Sequence, residues 1–315
     1  PGNTDYLRDW GKLVLRHRDI PEEDRKREAI RVWNQILTTR PDDALTVSQV
    51  ADLFRQNKIN DQAEQLYRKA VELAPGDPQY REYLGEFLHL QGRSEEALQM
   101  WASIAEGARR TAVNVNRLAE VYNSFGFTEQ ATVEIAEALK LDPKDFSLHI
   151  RAADYHLKAG KYDPALEFVA SAEALAANDD ERDAVIQQRI DILQGSQQLD
   201  EVADELLAKL DQQSQATSAD WYLAARYLEA ARRWPLATEA IDKAILADPK
   251  SIPALNVAAR IAETSGDYGR ASKMNRTLAE IDRRSRGDHL MNVSRLEAQL
   301  GRADEALKAA QELIV

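Results

Sequence analysis

The chain has 315 residues, 44% hydrophobic and 30% charged, and its 53 acidic side chains outweigh 41 basic ones for a formal charge of −12. That balance argues against a broad phosphate-binding surface, and the lack of cysteine removes disulfides, thiolate metal sites and thiol nucleophiles. No apolar run reaches the roughly eighteen residues a membrane span needs, and the opening PGNTDYLRDWGK is too polar for a secretory leader. A start at Pro1 without Met leaves earlier trimming open, so the expectation is a soluble chain, cytoplasmic or exported.

In chain order, one amphipathic phrase returns: QAEQLYRKAVELAPGD at 62–77, GRSEEALQMW from 92, GFTEQATVEIAEALKLDPKD at 126–145 and LATEAIDKAILADPKS at 236–251. Each phrase contains an alanine, at 29, 63, 97, 131, 165, 203, 237, 271 and 306, with gaps of 34, 34, 34, 34, 38, 34, 34 and 35 residues. Twelve residues before most of them lies a small residue (Ala51, Gly85, Ala119, Ala153, Ala225, Ala259), which lets two helices approach closely. Four residues after comes a larger knob: Trp33, Tyr67, Trp101, Ile135, Val169, Leu207 and Ile241. Three further on the position is apolar again, at Ile36, Ala70, Ile104, Ala138, Ala172, Leu210 and Ala244, and offsets of 0, 4 and 7 trace one helix face. Gly92, Gly126, Gly160 and Gly266 stand where a helix must end in a left-handed residue, and Pro41, Pro75, Pro143 and Pro249 stand where the second helix must stop.

The pattern predicts helix, turn, helix, turn throughout, in units at about 4–43, 44–77, 78–111, 112–145, 146–180, 181–217, 218–251, 252–285 and 286–315. In the first unit HRDIPEEDRKRE reads as a swollen interhelical loop. Gln187 and Gln188 replace the usual contact residues of unit 181–217, which reads as a joint in the array. Ile314 and Val315 leave an uncapped apolar end, the mark of a fragment of a longer chain or of self-association through that end.

With Val115, Leu118, Ala119, Tyr122, Ala131, Ile135, Ala138 and Pro143 in one unit, and Trp221, Ala224, Ala225, Leu228, Ala237, Ile241, Ala244 and Pro249 in another, the 34-residue beat resembles the tetratricopeptide repeat over essentially the whole chain. The resemblance implies an all-α fold, a right-handed superhelical solenoid of about nine hairpins, with the first helix of each lining a concave surface. One hairpin cannot bury its apolar face alone, whereas stacked hairpins bury a continuous one.

Catalytic motifs are missing: there is no Gly-rich phosphate loop, no HExxH and no GxSxG. The expectation is therefore a non-enzyme with no cofactor and no metal. His149 and His156 lie seven apart on one helix face at packing positions, unlike the four-residue spacing of a helical metal pair. Trp10, Trp33, Trp101 and Trp221 read as core, and Trp234 before Pro235 reads as exposed.

The candidate partner-binding residues follow from position 9 of each unit, which in this family typically faces the concave side. From the second unit onward it reads Asp52, Glu86, Glu120, Asp154, then Arg189, Arg226, Arg260 and Arg295. Glu82, Asn116 and Asn123 accompany the acids, and Tyr222 and Asn256 accompany the arginines. This is a charge-bipolar trough, one half suited to a basic segment and the other to carboxylates or phosphates, with pairing between neighbouring units as the alternative. The basic and asparagine clamp with which related domains hold chaperone tails is absent, since position 9 is never Asn. The expected function is a protein-interaction scaffold that holds an extended peptide or helix of a partner, without nucleic acid or membrane insertion. The alternative is a regulatory or spacing arm of a larger enzyme or secretion machine.

Overall fold

The structure, a computed structural model, describes residues 4–213 and 215–313. All nine ladder alanines are buried, and each sits on the second helix of a hairpin. The described residues form eighteen α-helices and no strand. They divide into two compact units, Pro1–Leu148 and His149–Val315.

The first unit holds α1 (Thr4–Arg16), α2 (Glu22–Thr39), α3 (Ala44–Gln56), α4 (Asn60–Leu73), α5 (Pro78–Leu90), α6 (Ser94–Ala102), α7 (Ala112–Ser124) and α8 (Thr128–Leu141). Its first helices start where a side chain can accept an orphan backbone N–H: Asp43, Asp77 and Thr111 accept from Thr46, Gln79 and Asn114. At the hairpin turns Gly92 and Gly126 have φ of +78° and +81°, the left-handed geometry glycine adopts without steric cost. The proline stops also hold, since α4 and α8 end two residues before Pro75 and Pro143.

Knobs bind one hairpin to the next. Trp33 on α2 meets Phe54 on α3 edge-on at 5.5 Å, Tyr67 on α4 meets Phe87 on α5 at 5.5 Å, and Trp101 on α6 stacks on Phe125 at 4.7 Å. Burying each such ring contributes about 1.5–3 kcal/mol. Where the knob is tryptophan, the facing small residue is glycine. A Cβ on Gly85 would lie 2.1 Å from Nε1 of Trp101, and one on Gly11 would lie 2.1 Å from Nε1 of Trp33. Both indoles also donate to a carbonyl three residues before the glycine, Glu82 at 3.3 Å and Arg8 at 3.1 Å.

The first hairpin differs from the sequence reading in two ways. Most of HRDIPEEDRKRE is helix, because Glu22, Glu23 and Asp24 fill the first turn of α2, where acids favour the dipole, and Lys26 pairs with Glu22 at 2.7 Å. Trp10 is 41% exposed and stacks on Tyr6 at 6.1 Å instead of entering the core. Its register matches Leu84 of α5, which is buried.

The second unit holds most of α9 (Phe146–Lys158), then α10 (Tyr162–Leu175), α11 (Asp179–Gly195), α12 (Leu199–Gln212), α13 (Ser218–Ala230), α14 (Trp234–Ala247), α15 (Ile252–Thr264), α16 (Tyr268–Ile281), α17 (Arg286–Gln299) and α18 (Ala303–Gln311). Ala225, Ala237, Ile241, Ala244 and Ala258 share one core with Leu193, Leu199 and Ala203. The α11 and α12 helices meet far more sparsely than the two helices of the later hairpins, with Gln188 where those hairpins carry alanine or serine. Trp221 is half-buried against this core, and Trp234 opens α14 half-buried rather than exposed. The Nδ1 of His156 is 2.8 Å from the Ala152 carbonyl, and its ring lies 5.0 Å from Phe168, which also faces His149 at 6.3 Å. The packing reading of both histidines fits these contacts. Ile314 and Val315 lie outside the described residues.

Candidate partner-binding face

In the first unit α3, α5 and α7 carry the acidic position-9 residues. Asp52 is answered locally: it accepts from Arg55 at 3.0 Å and from the Tyr67 hydroxyl at 2.6 Å. Burial, then the hydrogen bond to Asp52, raises the Tyr67 phenol above its ordinary value. On α7, Asn116 donates to Glu120 at 3.3 Å and Arg117 stands 3.6 Å from it. Arg117 is committed elsewhere, clasping Glu82 of α5 through two bonds of 2.6 and 2.7 Å. Asn123 is half-buried one turn beyond Glu120.

Glu86 is different. Its carboxylate takes no hydrogen bond or ion pair from the described residues, and His89, three positions on, lies against Ser94, Trp101 and Phe125 instead. It lines a hollow of about 210 Å³ between α5 and α7, with Glu82, Tyr83, Arg117, Glu120 and Phe125. Three carboxylates against one guanidinium leave this hollow negative, and two aromatic rings edge it.

The second unit treats its position-9 charges in another way. Asp154 pairs with Lys158 one turn along α9 at 2.6 Å. Each arginine finds a carboxylate on a different helix. Arg189 reaches Glu173 of α10 at 2.7 Å. Arg260 grips Glu229 of α13 through bonds of 2.6 and 2.7 Å, and Arg295 grips Glu263 of α15 through bonds of 2.7 and 2.9 Å. Arg226, only 5% exposed, pairs with Asp183 of α11 and donates to Gln187 at 2.8 Å. Tyr222 donates to the same Asp183 at 2.7 Å, and burial first, then that bond, pushes its phenol up to about 12. Asn256 stays exposed on α15.

Position 9 alone thus misses half of the arrangement. The partners Glu229 and Glu263 sit three residues after Arg226 and Arg260, so the phrases RYLE and RIAE already hold both halves of a stitch between successive first helices. Reading position 12 beside position 9 shows the arginine row to be alternately signed. Among the described residues, no group of three or more His, Asp or Glu is placed to hold a metal ion, and no helix is long and apolar enough to cross a membrane.

The tetratricopeptide-repeat family model matches residues 24–78 and 47–112. No curated protein matches the chain in sequence. Among solved structures, residues 41 to the end of MamA from Desulfovibrio magneticus RS-1 are similar at 17% identity and a TM-score of 0.33, covering 55% of this chain and 94% of that one. Yeast Tom70 is similar at 17% identity and a TM-score of 0.37, over 94% of this chain and 64% of that one. YrrB, described as a tetratricopeptide protein with an unusual peptide-binding site, is similar at 16% identity and a TM-score of 0.30, over 71% of this chain and 96% of that one. The family model places residues 24–112 in the tetratricopeptide-repeat family, and the same alanine-centred hairpin recurs from α1 to α18.

Proposed function

We propose that this chain is a non-enzymatic scaffold whose first-helix faces hold an extended peptide or helix of a partner protein, and that the partner segment is basic where it crosses α5 and α7. Stacked helical repeats in general build extended surfaces for binding other proteins. One observation carries the finer reading: Glu86 stands without a cation in a negative, aromatic-edged hollow. A lysine or arginine side chain from a partner would supply the missing charge and lay its stem on Tyr83 and Phe125. The arginine row contributes little attraction for an acidic ligand, because Glu173, Asp183, Glu229 and Glu263 already answer it. Asp52 and Asn123, in the same unit, would serve as flanking polar contacts.

Titration calorimetry of the full chain with a lysine- and arginine-bearing peptide at about 50 and 500 mM salt tests this, since screening at the higher salt should weaken a charge-led contact. Glu86→Lys should abolish binding and Glu86→Gln should weaken it several-fold. Equal affinity for the wild type and Glu86→Lys would sink the reading.

A further inference from the structure

A second charged hollow, of the opposite sign, lies where α16, α17 and α18 converge. It measures about 280 Å³ and is lined by Arg276, Glu280, Arg283, Arg286 and Glu312 over a floor of Ala279 and Leu290. Three guanidiniums around one cavity are notable in a chain with a charge of −12. The local fold explains the convergence. Asp282, at the end of α16, spends its carboxylate on the turn, accepting from the backbone N–H of Arg284 at 3.1 Å and of Ser285 at 3.3 Å while lying 3.2 Å from Nε2 of His289. The acid immediately before the Arg283–Arg286 run is thus withdrawn from its arginines.

Glu312 enters the cavity from beyond α18. Its carboxylate stands 3.4 Å from Arg276 and 3.9 Å from Arg286. By contrast the stitches at Arg260 and Arg295 close to 2.6–2.9 Å with two bonds each. Charge-assisted bonds of good geometry lie at about 2.7–2.9 Å, so Glu312 approaches two of the three arginines without satisfying either. Arg283 has no ion pair or side-chain hydrogen bond among the described residues. Glu280 stands at the rim as the second carboxylate, leaving the lining one positive charge in excess.

We propose that this hollow is an oxyanion site for a phosphate-class dianion, inorganic phosphate or a phosphorylated side chain, and that Glu312 is an internal stand-in that the ligand displaces. A tetrahedral dianion offers oxygens in several directions, which suits guanidiniums arriving from α16, from the turn and from α17 better than one planar carboxylate does. The site is independent of the acidic hollow on α5 and α7 in residues, in sign and in ligand.

The test uses the full chain in low-salt buffer, titrated with inorganic phosphate and, in a second arm, with a phosphoserine peptide and its unphosphorylated form. Saturable phosphate binding is expected, weakened roughly tenfold by Arg283→Gln through loss of one charge-assisted partner and strengthened several-fold by Glu312→Gln. Arg283 is exposed in a turn, so its substitution leaves the hairpin core intact, and an unchanged circular dichroism melt verifies this. A phosphopeptide that binds more tightly than free phosphate identifies a protein ligand, and equal affinity identifies the free ion; either supports the site. No saturable binding, equal affinity in Arg283→Gln, or no gain in Glu312→Gln would overturn it.

Discussion

The indole of Trp101 fills the space into which a side chain on Gly85 would project, with Nε1 only 2.1 Å from the position of a Cβ. Glycine is required there because the knob is the largest one available. Hairpins with Ile135 or Ile241 as knob carry alanine opposite, at Ala119 and Ala225. Gly85→Ala should therefore destabilise by about 3 kcal/mol, at the upper end of overpacking costs, because the Glu82 carbonyl holds the ring in place. Trp101→Ile in the Gly85→Ala background should recover part of the loss, although Trp101→Ile alone leaves a cavity and costs about 3 kcal/mol. Urea midpoints of the four chains form the double-mutant cycle. Additive losses, or a harmless Gly85→Ala, would refute the steric pairing.

Arg226 and Arg295 occupy equivalent repeat positions and should respond differently. Arg226 is buried while Asp183 is half-exposed and Gln187 exposed, so Arg226→Gln loses the buried packing of the guanidinium and its stem and should cost about 2 kcal/mol, with Arg226→Lys a poor rescue because one ammonium cannot reproduce the fork. Arg295 is exposed, and Arg295→Gln should cost under about 1 kcal/mol. Thermal melts compare the two, and equal losses would contradict the burial argument.

Glu134 on α8 has a carboxylate oxygen buried without a hydrogen-bond partner, and burial raises its pKa above the ordinary carboxylate value, with Arg110 opposing weakly. A raised folded value means that the neutral form suits the fold. The penalty is absent at acidic pH and grows as pH rises through the folded value. Glu134→Gln should therefore stabilise the chain at pH 7 by about 1 kcal/mol, the gap closing as pH falls below the ordinary carboxylate range. Melting temperatures of both chains across that range check the sign; a gap that widens on acidification would be fatal to it.

The hairpins were readable because steric rules repeat with the chain: a buried alanine, a small residue opposite, a knob, and a turn needing positive φ recur at fixed offsets. Lys58, Gln197 and Arg232 hold φ near +60° at corresponding turns, so the backbone demand persists where glycine is missing and a glycine search alone overlooks it. Gly11 escaped the ladder for a different reason. The first hairpin is longer, which shifts its small residue to eighteen positions before Ala29 instead of twelve. Charge pairing was the least legible feature. Whether an arginine meets a partner protein or its own chain depends on which carboxylate lies across the helix boundary, a relation that one position per repeat does not encode.

Arg260–Glu229 and Arg295–Glu263 join α15 to α13 and α17 to α15 by paired short bonds. Such bonds lose most of their strength within an ångström of stretch, so these three helices resist being drawn apart far more stiffly than greasy contacts, which slide. Arg226 and Tyr222 tie α13 to α11 in the same way through Asp183 and Gln187, so under tension the second unit should give first between α11 and α12, where the helices touch little. This half of the molecule is thus a spring with rigid coils and one soft one, and a mechanical load would be felt at Gln188 before it is felt at Arg295.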